Sequence, residues 1–295
     1  MNEEKRTKQI LIPNKNPNRS FGIDFFASLY DGSYPYYKYF ASLMDFEQVF
    51  SSDSLSSKPG GLEVFVNEIS KLNPGMIVAF YQNPDPYNVL EEKEQQMIKA
   101  LNAVKEHKLG VFIETSSVLV ERDFDILKEI HKQAPVVIAI PFTHQNDPLT
   151  HTFEGNDATK VTERLKLVNK AKQTGFIVGA LLKPIIPYIN DSEETWVPLI
   201  DSLSKYSVDF IYPNFVLSVS ENQRQNFFEL VNHSFPGLKN IYMDKYGIKK
   251  TWSSPNAGVL KKEIVFACKK YKIKFGMREI VEEISPKVVE QFKLF

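Results

Sequence analysis

Cysteine is almost missing from this chain: Cys268 is the only one in 295 residues. That excludes an intramolecular disulfide and any zinc or iron site built on several thiolates. Cys268 lies in the apolar stretch Ile264-Val265-Phe266-Ala267-Cys268 and reads as a small buried hydrophobe. Charge of one sign is missing too. The 36 basic and 36 acidic side chains cancel, so no net field steers the molecule toward nucleic acid or an anionic membrane. Only the Lys-rich stretches 245–250 and 261–274 offer local basic patches. No segment approaches the ~18 uninterrupted apolar residues of a membrane helix. Met1-Asn2-Glu3-Glu4-Lys5-Arg6 has no apolar core behind its charges, unlike a secretory leader, so a cytoplasmic location is expected. Glycine-rich phosphate loops and a Gly-x-Ser-x-Gly elbow are absent; Gly60-Gly61 lacks the other glycines and the preceding strand. His144 and His151 are seven apart, not at a helical metal-binding spacing, so even with Asp147 nearby no metal site is expected.

What the chain has is hydrophobic material, 43% of its residues, distributed in a regular alternation. Apolar runs at 23–29, 75–81, 109–114, 135–141, 176–183 and 208–213 are nearly continuous, as strands buried on both faces should be. Amphipathic patterns fall between and after them at 61–72, 90–107, 122–133, 158–174, 192–205, 220–233 and 256–272. This alternation predicts an α/β fold with a parallel sheet and right-handed crossovers. Six strand–helix units suit a partial TIM-like (β/α)6 barrel, with a doubly wound open sheet as the alternative. Residues 1–20 read as a flexible N-terminal arm, 21–275 as the barrel and 276–295 as a C-terminal helical tail, with no second domain.

In such a barrel chemistry sits on the loops after the strands' carboxyl ends. Those loops contain Asp85-Pro86-Tyr87-Asn88-Val89-Leu90-Glu91, then Thr115-Ser116-Ser117 with Arg122-Asp123, then Glu154-Gly155 with Arg164. Pro184-Ile185-Ile186-Pro187-Tyr188-Ile189-Asn190-Asp191 and Ser254-Pro255-Asn256 follow. Taken in order, these resemble the spore photoproduct lyase-like (DNA repair photolyase-like) branch of the radical S-adenosylmethionine (SAM) superfamily, over roughly residues 20–275. The resemblance implies a radical SAM-type barrel whose loop after the first strand carries Cys-x3-Cys-x2-Cys, holding a [4Fe–4S] cluster through thiolates. Here that spacing falls on Ser33, Tyr37 and Phe40. The lysine of the family's Thr-Lys-Ser turn is Ser116, and Trp252 and Ser253 stand where members often carry cysteine.

The expectation is therefore a radical SAM-fold pseudoenzyme: no catalytic residues, no metal, no [4Fe–4S] cluster, and at most weak SAM binding. Tyr37 or Phe40 is expected to plug the space a cluster would fill. Asp85, Tyr87, Thr115, Ser116, Glu154 and Arg164 are the candidate SAM or ligand contacts that the resemblance implies. Each has a structural alternative. Asp85 in Pro-Asp-Pro-Tyr is also turn chemistry, and Glu154 and Arg164 could simply pair with each other. Asn190-Asp191-Ser192-Glu193 reads as a helix cap with acidic residues in the first turn. The expected partner is an active paralogue or another protein. A retained SAM or nucleoside pocket for non-radical chemistry is the alternative, and a nucleic-acid-binding remnant of a repair lyase is a further one.

Overall fold

The computed structural model describes residues 7–32, 55–81 and 84–285. Ser33, Tyr37 and Phe40, and with them the expected plug, lie outside the described residues. The strands are β1 (Ile12–Pro13), β2 (Phe25–Ala27), β3 (Tyr30–Asp31), β4 (Ser56–Ser57), β5 (Ile77–Phe80), β6 (Gly110–Glu114), β7 (Val136–Phe142), β8 (Ile177–Leu182), β9 (Phe210–Pro213), β10 (Val216–Ser218), β11 (Thr251–Ser253) and β12 (Lys274–Phe275). The helices are α1 (Gly61–Ile69), α2 (Glu91–Glu94), α3 (Gln96–Glu106), α4 (Phe124–His131), α5 (Asp147–Glu154), α6 (Val161–Thr174), α7 (Glu193–Ser204), α8 (Glu221–Ser234), α9 (Leu238–Lys245), α10 (Ala257–Tyr271) and α11 (Met277–Ile284). None is long and apolar enough to cross a membrane among the described residues.

One eight-stranded sheet runs β1-β2-β5-β6-β7-β8-β9-β12. Every pairing from β2 onward is parallel, and only the edge strand β1 is antiparallel. Spatial order follows chain order without reversal. That is the winding of an open barrel; a doubly wound sheet would reverse at a switch point. The six expected strands are all present, and the sheet gains two more, Ile12–Pro13 and Lys274–Phe275. Two residues are too few to display a period, so neither was legible. Within the expected N-terminal arm, Ile10 and Leu11 are buried, and their backbone N–H groups donate to Glu68 at 3.0 and 2.7 Å.

Strand alternation divides the interior into two cores. Val78, Phe80, Val111, Ile113, Ile138 and Ile140 point outward into the helix layer. Ile77, Ala79, Phe112, Ala139, Leu181 and Phe210 point inward and fill the lumen. Phe21 packs there on Phe112 and Phe210, and Ile280 and Ile284 of α11 close the same core. Gly179 is required at its place, because a β-carbon would lie 2.0 Å from the Phe210 ring.

A third, smaller core is mostly aromatic. Phe227 of α8, Tyr242 and Tyr246 of α9 and its end, and Trp252 of β11, which pairs antiparallel with β10, pack together against Ile186 and Phe153. Trp252 is fully buried and stacks on Tyr246 with ring centres 5.2 Å apart, so this residue serves as a core side chain. The Tyr242 hydroxyl donates to the Pro187 carbonyl and fixes this core to the loop after β8.

Candidate functional site

The loops after the strands' carboxyl ends converge at one mouth, and the motif residues bind the loops to one another. Asp85, fully enclosed, accepts from the Tyr87 N–H (2.9 Å), the Thr115 hydroxyl (2.6 Å) and the Ser116 N–H (3.0 Å). It thereby ties the loop after β5 to the loop after β6. Burial pushes its carboxyl above the ordinary value, and these hydrogen bonds pull it part of the way back.

Glu91 is a second junction and is completely buried. It accepts from the Tyr30 hydroxyl at 2.5 Å, from the N–H groups of Gln96 and Met97 at 2.8 and 3.1 Å, and from Arg122 at 2.6 Å. The two amide donors are orphan groups at the start of α3, where a carboxylate also meets the helix dipole favourably. Arg122 continues to Asp123 at 2.7 Å, and the Tyr87 hydroxyl donates to Asp123 at 3.1 Å. Burial, with Asp123 next, raises the Tyr87 hydroxyl well above its ordinary value. Tyr30, three residues before Ser33, is thus anchored through Glu91 to the loop after β6.

Glu154 and Arg164 pair with each other and are buried. Arg164 also donates to the carbonyls of Pro141 (2.8 Å) and Thr159 (3.0 Å), and Glu154 accepts from Thr143 (2.5 Å). The ion-pair alternative for these two residues is the arrangement present. Asn190 and Asp191 are not the cap of α7. Asn190 bonds the Ile186 N–H and the carbonyls of Thr143 and Pro184, while Asp191 accepts from Ser254 at 2.5 Å. Ser192 takes the cap position, and Glu193 and Glu194 are in the first turn as expected.

Of the six nominated contacts, Asp85, Tyr87, Ser116 and Glu154 line one cavity of about 370 Å³. Thr115 lies behind Asp85 and Arg164 behind Glu154, both fully buried. Glu92 and Asp157 also line this cavity and were not anticipated. The other unanticipated feature is inside the barrel. Glu114 at the end of β6 and Lys183 just past β8 form a buried ion pair across β7. Both residues stood in the loop sequences, but nothing in their spacing announced that they meet. Burial, then Glu114, raises the nearby Tyr81 hydroxyl.

The residues present do not fit an iron–sulfur cluster, which is held by several cysteine thiolates. Cys268 is alone, belongs to the helix layer, and burial pushes its thiol up to about 12, away from the reactive thiolate. Among the described residues no group of three or more His, Cys, Asp or Glu is placed to hold a metal ion. His144 accepts the Asn146 N–H at 3.1 Å and Asp147 accepts the Val161 N–H at 2.7 Å, so both serve the loop.

Fold and mouth together define an open parallel α/β barrel with a polar, cross-linked rim. No family model matches the chain. An uncharacterized protein of Mycobacterium tuberculosis, Rv2578c, is 26% identical over 117 residues, covering 40% of this chain and 34% of that protein. The uncharacterized protein ORF301 of Acidianus two-tailed virus is 27% identical over 141 residues, covering 47% and 45%. The chain thus spans between a third and a half of the length of these relatives. Among solved structures, the radical S-adenosylmethionine methyltransferase TsrM of Kitasatospora setae overlaps with a TM-score of 0.42 at 9% identity, over 56% of this chain and 32% of that one. Methylornithine synthase (PylB) gives 0.41 at 14% identity, over 64% and 51%.

Proposed function

We propose that this chain is a radical SAM-type barrel without iron–sulfur chemistry, a pseudoenzyme of spore photoproduct lyase-like descent that acts by binding. The observation that carries the reading is the donor set: one buried cysteine in 295 residues, with Ser33, Tyr37 and Phe40 at the motif spacing. Without thiolates there is no cluster to pass SAM an electron. The motif residues that do remain hold the mouth in shape: Asp85 to Thr115, Glu91 to Arg122, Glu154 to Arg164, Asp191 to Ser254. Such a rim supports a role in presenting a ligand or docking a partner, an active paralogue or another protein. SAM itself would be held weakly. Its amino-acid end loses the cluster, Ser116 replaces the lysine, and the Arg164 guanidinium is already committed to Glu154 and two carbonyls.

A second reading, a retained ligand pocket used for non-radical chemistry, is favoured by the shared cavity of Asp85, Tyr87, Ser116 and Glu154. A nucleic-acid role has less support, since Tyr242, Tyr246 and Trp252, the aromatic rings beside the 245–250 lysines, are buried and offer no stacking surface. The test is anaerobic incubation of the full chain, after treatment with iron and sulfide, with SAM and dithionite. No 5′-deoxyadenosine above a protein-free control is expected. Repeated turnover to 5′-deoxyadenosine would contradict the reading.

A further inference from the structure

α9 and the turn that follows it form part of the outer surface of the small aromatic core, and there aliphatic side chains and positive charge occur together. Of α9 only Tyr242 is buried, so Ile241 and Met243 on either side of it are exposed, at 40% and 51%. Past the helix end Gly247 takes a left-handed conformation, with φ 50°. The residue after such a glycine commonly folds back over the last helical turn. Ile248 does not: it is 87% exposed, the most exposed large apolar side chain among the described residues. Its turn is pinned from both sides. The Tyr246 hydroxyl donates to the Ser253 carbonyl (2.7 Å) and the Lys249 N–H to the Tyr246 carbonyl (2.8 Å). The Trp252 indole donates to the Lys249 carbonyl (3.0 Å) and the Val219 N–H to the Lys250 carbonyl (2.7 Å). The isoleucine is thus held out by the buried rings themselves. Beside it Lys245, Lys249 and Lys250 are exposed, and Asp244 is the only acidic residue in 239–250, in a chain of zero net charge.

We propose that this tip docks the chain on the anionic surface of a lipid bilayer, with Ile248 entering the interface and the three lysines meeting headgroup phosphates. Such docking uses no residue of the mouth and does not depend on the fate of the cluster. The composition of the tip selects a bilayer over other anionic partners. Surfaces that lie in a membrane interface combine apolar side chains with lysines. Lysine meets phosphate as a point charge while its alkyl stem stays on apolar material. Protein interfaces instead favour arginine and aromatic residues and are depleted in lysine. Residues 239–250 contain no arginine, and both of their tyrosines are buried. Single-stranded nucleic acid needs ring faces to stack on, and the exposed apolar side chains here are aliphatic. A residue as exposed as Ile248 protrudes, and a fluid acyl layer receives it without a complementary pocket.

The experiment is flotation of the full chain with vesicles of phosphatidylglycerol and phosphatidylcholine in equal parts, against vesicles of phosphatidylcholine alone. Binding is expected to the anionic vesicles only, and it should weaken as salt is raised. Ile248→Ser should weaken it roughly tenfold or more, the effect of withholding one isoleucine side chain from an apolar phase. Lys245→Gln with Lys249→Gln and Lys250→Gln should bring it to the phosphatidylcholine level. Both variants change exposed side chains only and should keep the thermal midpoint of the parent chain. Val66→Ser, which changes an exposed apolar residue on α1, should bind as the parent does. Absence of binding to the anionic vesicles would overturn the proposal. So would binding that Ile248→Ser leaves unchanged, or that Val66→Ser weakens equally. Oligothymidylate or polyglutamate bound in place of the vesicles, and lost in the lysine variant, would assign the patch to another anion and overturn the lipid surface.

Discussion

Gly179 and Phe210 share one space in the barrel lumen, and the consequence is testable with a single methyl group. Gly179→Ala would set a β-carbon 2.0 Å from a ring that is itself fully buried. Overpacking of this kind costs about 1–3 kcal/mol. A urea titration should show a loss of that order, and adding Phe210→Leu should return part of it. Glu91 is more demanding, because it joins Tyr30, Arg122 and the start of α3 without access to water. Glu91→Gln removes a fully buried carboxylate from Tyr30, the start of α3 and a partly exposed Arg122, and should cost about 3 kcal/mol, the low end for buried pairs, whereas Tyr30→Phe removes one hydrogen bond and should cost roughly 1.5 kcal/mol. Equal losses in the two variants would count against a junction centred on Glu91. His131 and His144 give the chain a pH response. Burial lowers both imidazoles, so the unfolded chain takes up protons first. Stability is therefore full above the ordinary imidazole range, about 6.5, and declines as pH falls through it. Asp85, raised by burial, works in the opposite sense. Urea midpoints should drop between pH 7.5 and 5.5, and His131→Asn with His144→Asn should flatten the drop; an unchanged slope would rule these residues out as its source.

Strands within continuous apolar runs and helices within longer amphipathic stretches were readable, and elements with neither signal around them were not. The seven amphipathic stretches correspond to α1, α2 with α3, α4, α6, α7, α8 and α10. α5 and α9, two turns each with no longer amphipathic stretch around them, escaped notice, as did β10, β11 and β12, which have only two or three residues. One local signal went unread: Ser220 caps α8 with Gln223 reciprocating at 2.9 Å, the Ser-x-x-Gln pattern of a capping box. Others needed the fold. Pro198 lies inside α7 and cannot donate to the Glu194 carbonyl, so Gln145 donates to it instead at 2.6 Å. Contacts between distant strands were the least legible, and the Glu114–Lys183 pair is the clearest case, 69 residues apart and joined across β7. A buried pair of this kind is costly to break and cheap to replace. Lys183→Met alone should lose about 3–5 kcal/mol, while Lys183→Met with Glu114→Leu should recover most of it. A double variant as unstable as the single one would show that the lumen needs charge there.

At the scale of the whole molecule, the winding of the sheet and the convergence of the motif loops followed from the sequence, while the division of labour among the motif residues did not. Asp85 and Glu91 were visible as a pair in one loop. Only the structure shows that each is consumed by a neighbouring loop, Asp85 by Thr115 and Ser116, Glu91 by Arg122. Glu154 and Arg164 are consumed by each other. The motif, then, describes a frame, and the other carboxylates of the mouth cavity, Glu92 and Asp157, carry no motif signal at all. Under the proposed function, this frame has outlasted the chemistry it once surrounded. The most direct measurement is anaerobic reconstitution of the full chain with iron and sulfide, followed by desalting, iron and acid-labile sulfide analysis, and a visible spectrum. The account predicts iron and sulfide at background and a colourless protein. Stoichiometric iron and sulfide with the broad visible absorption of a thiolate-ligated cluster would contradict it.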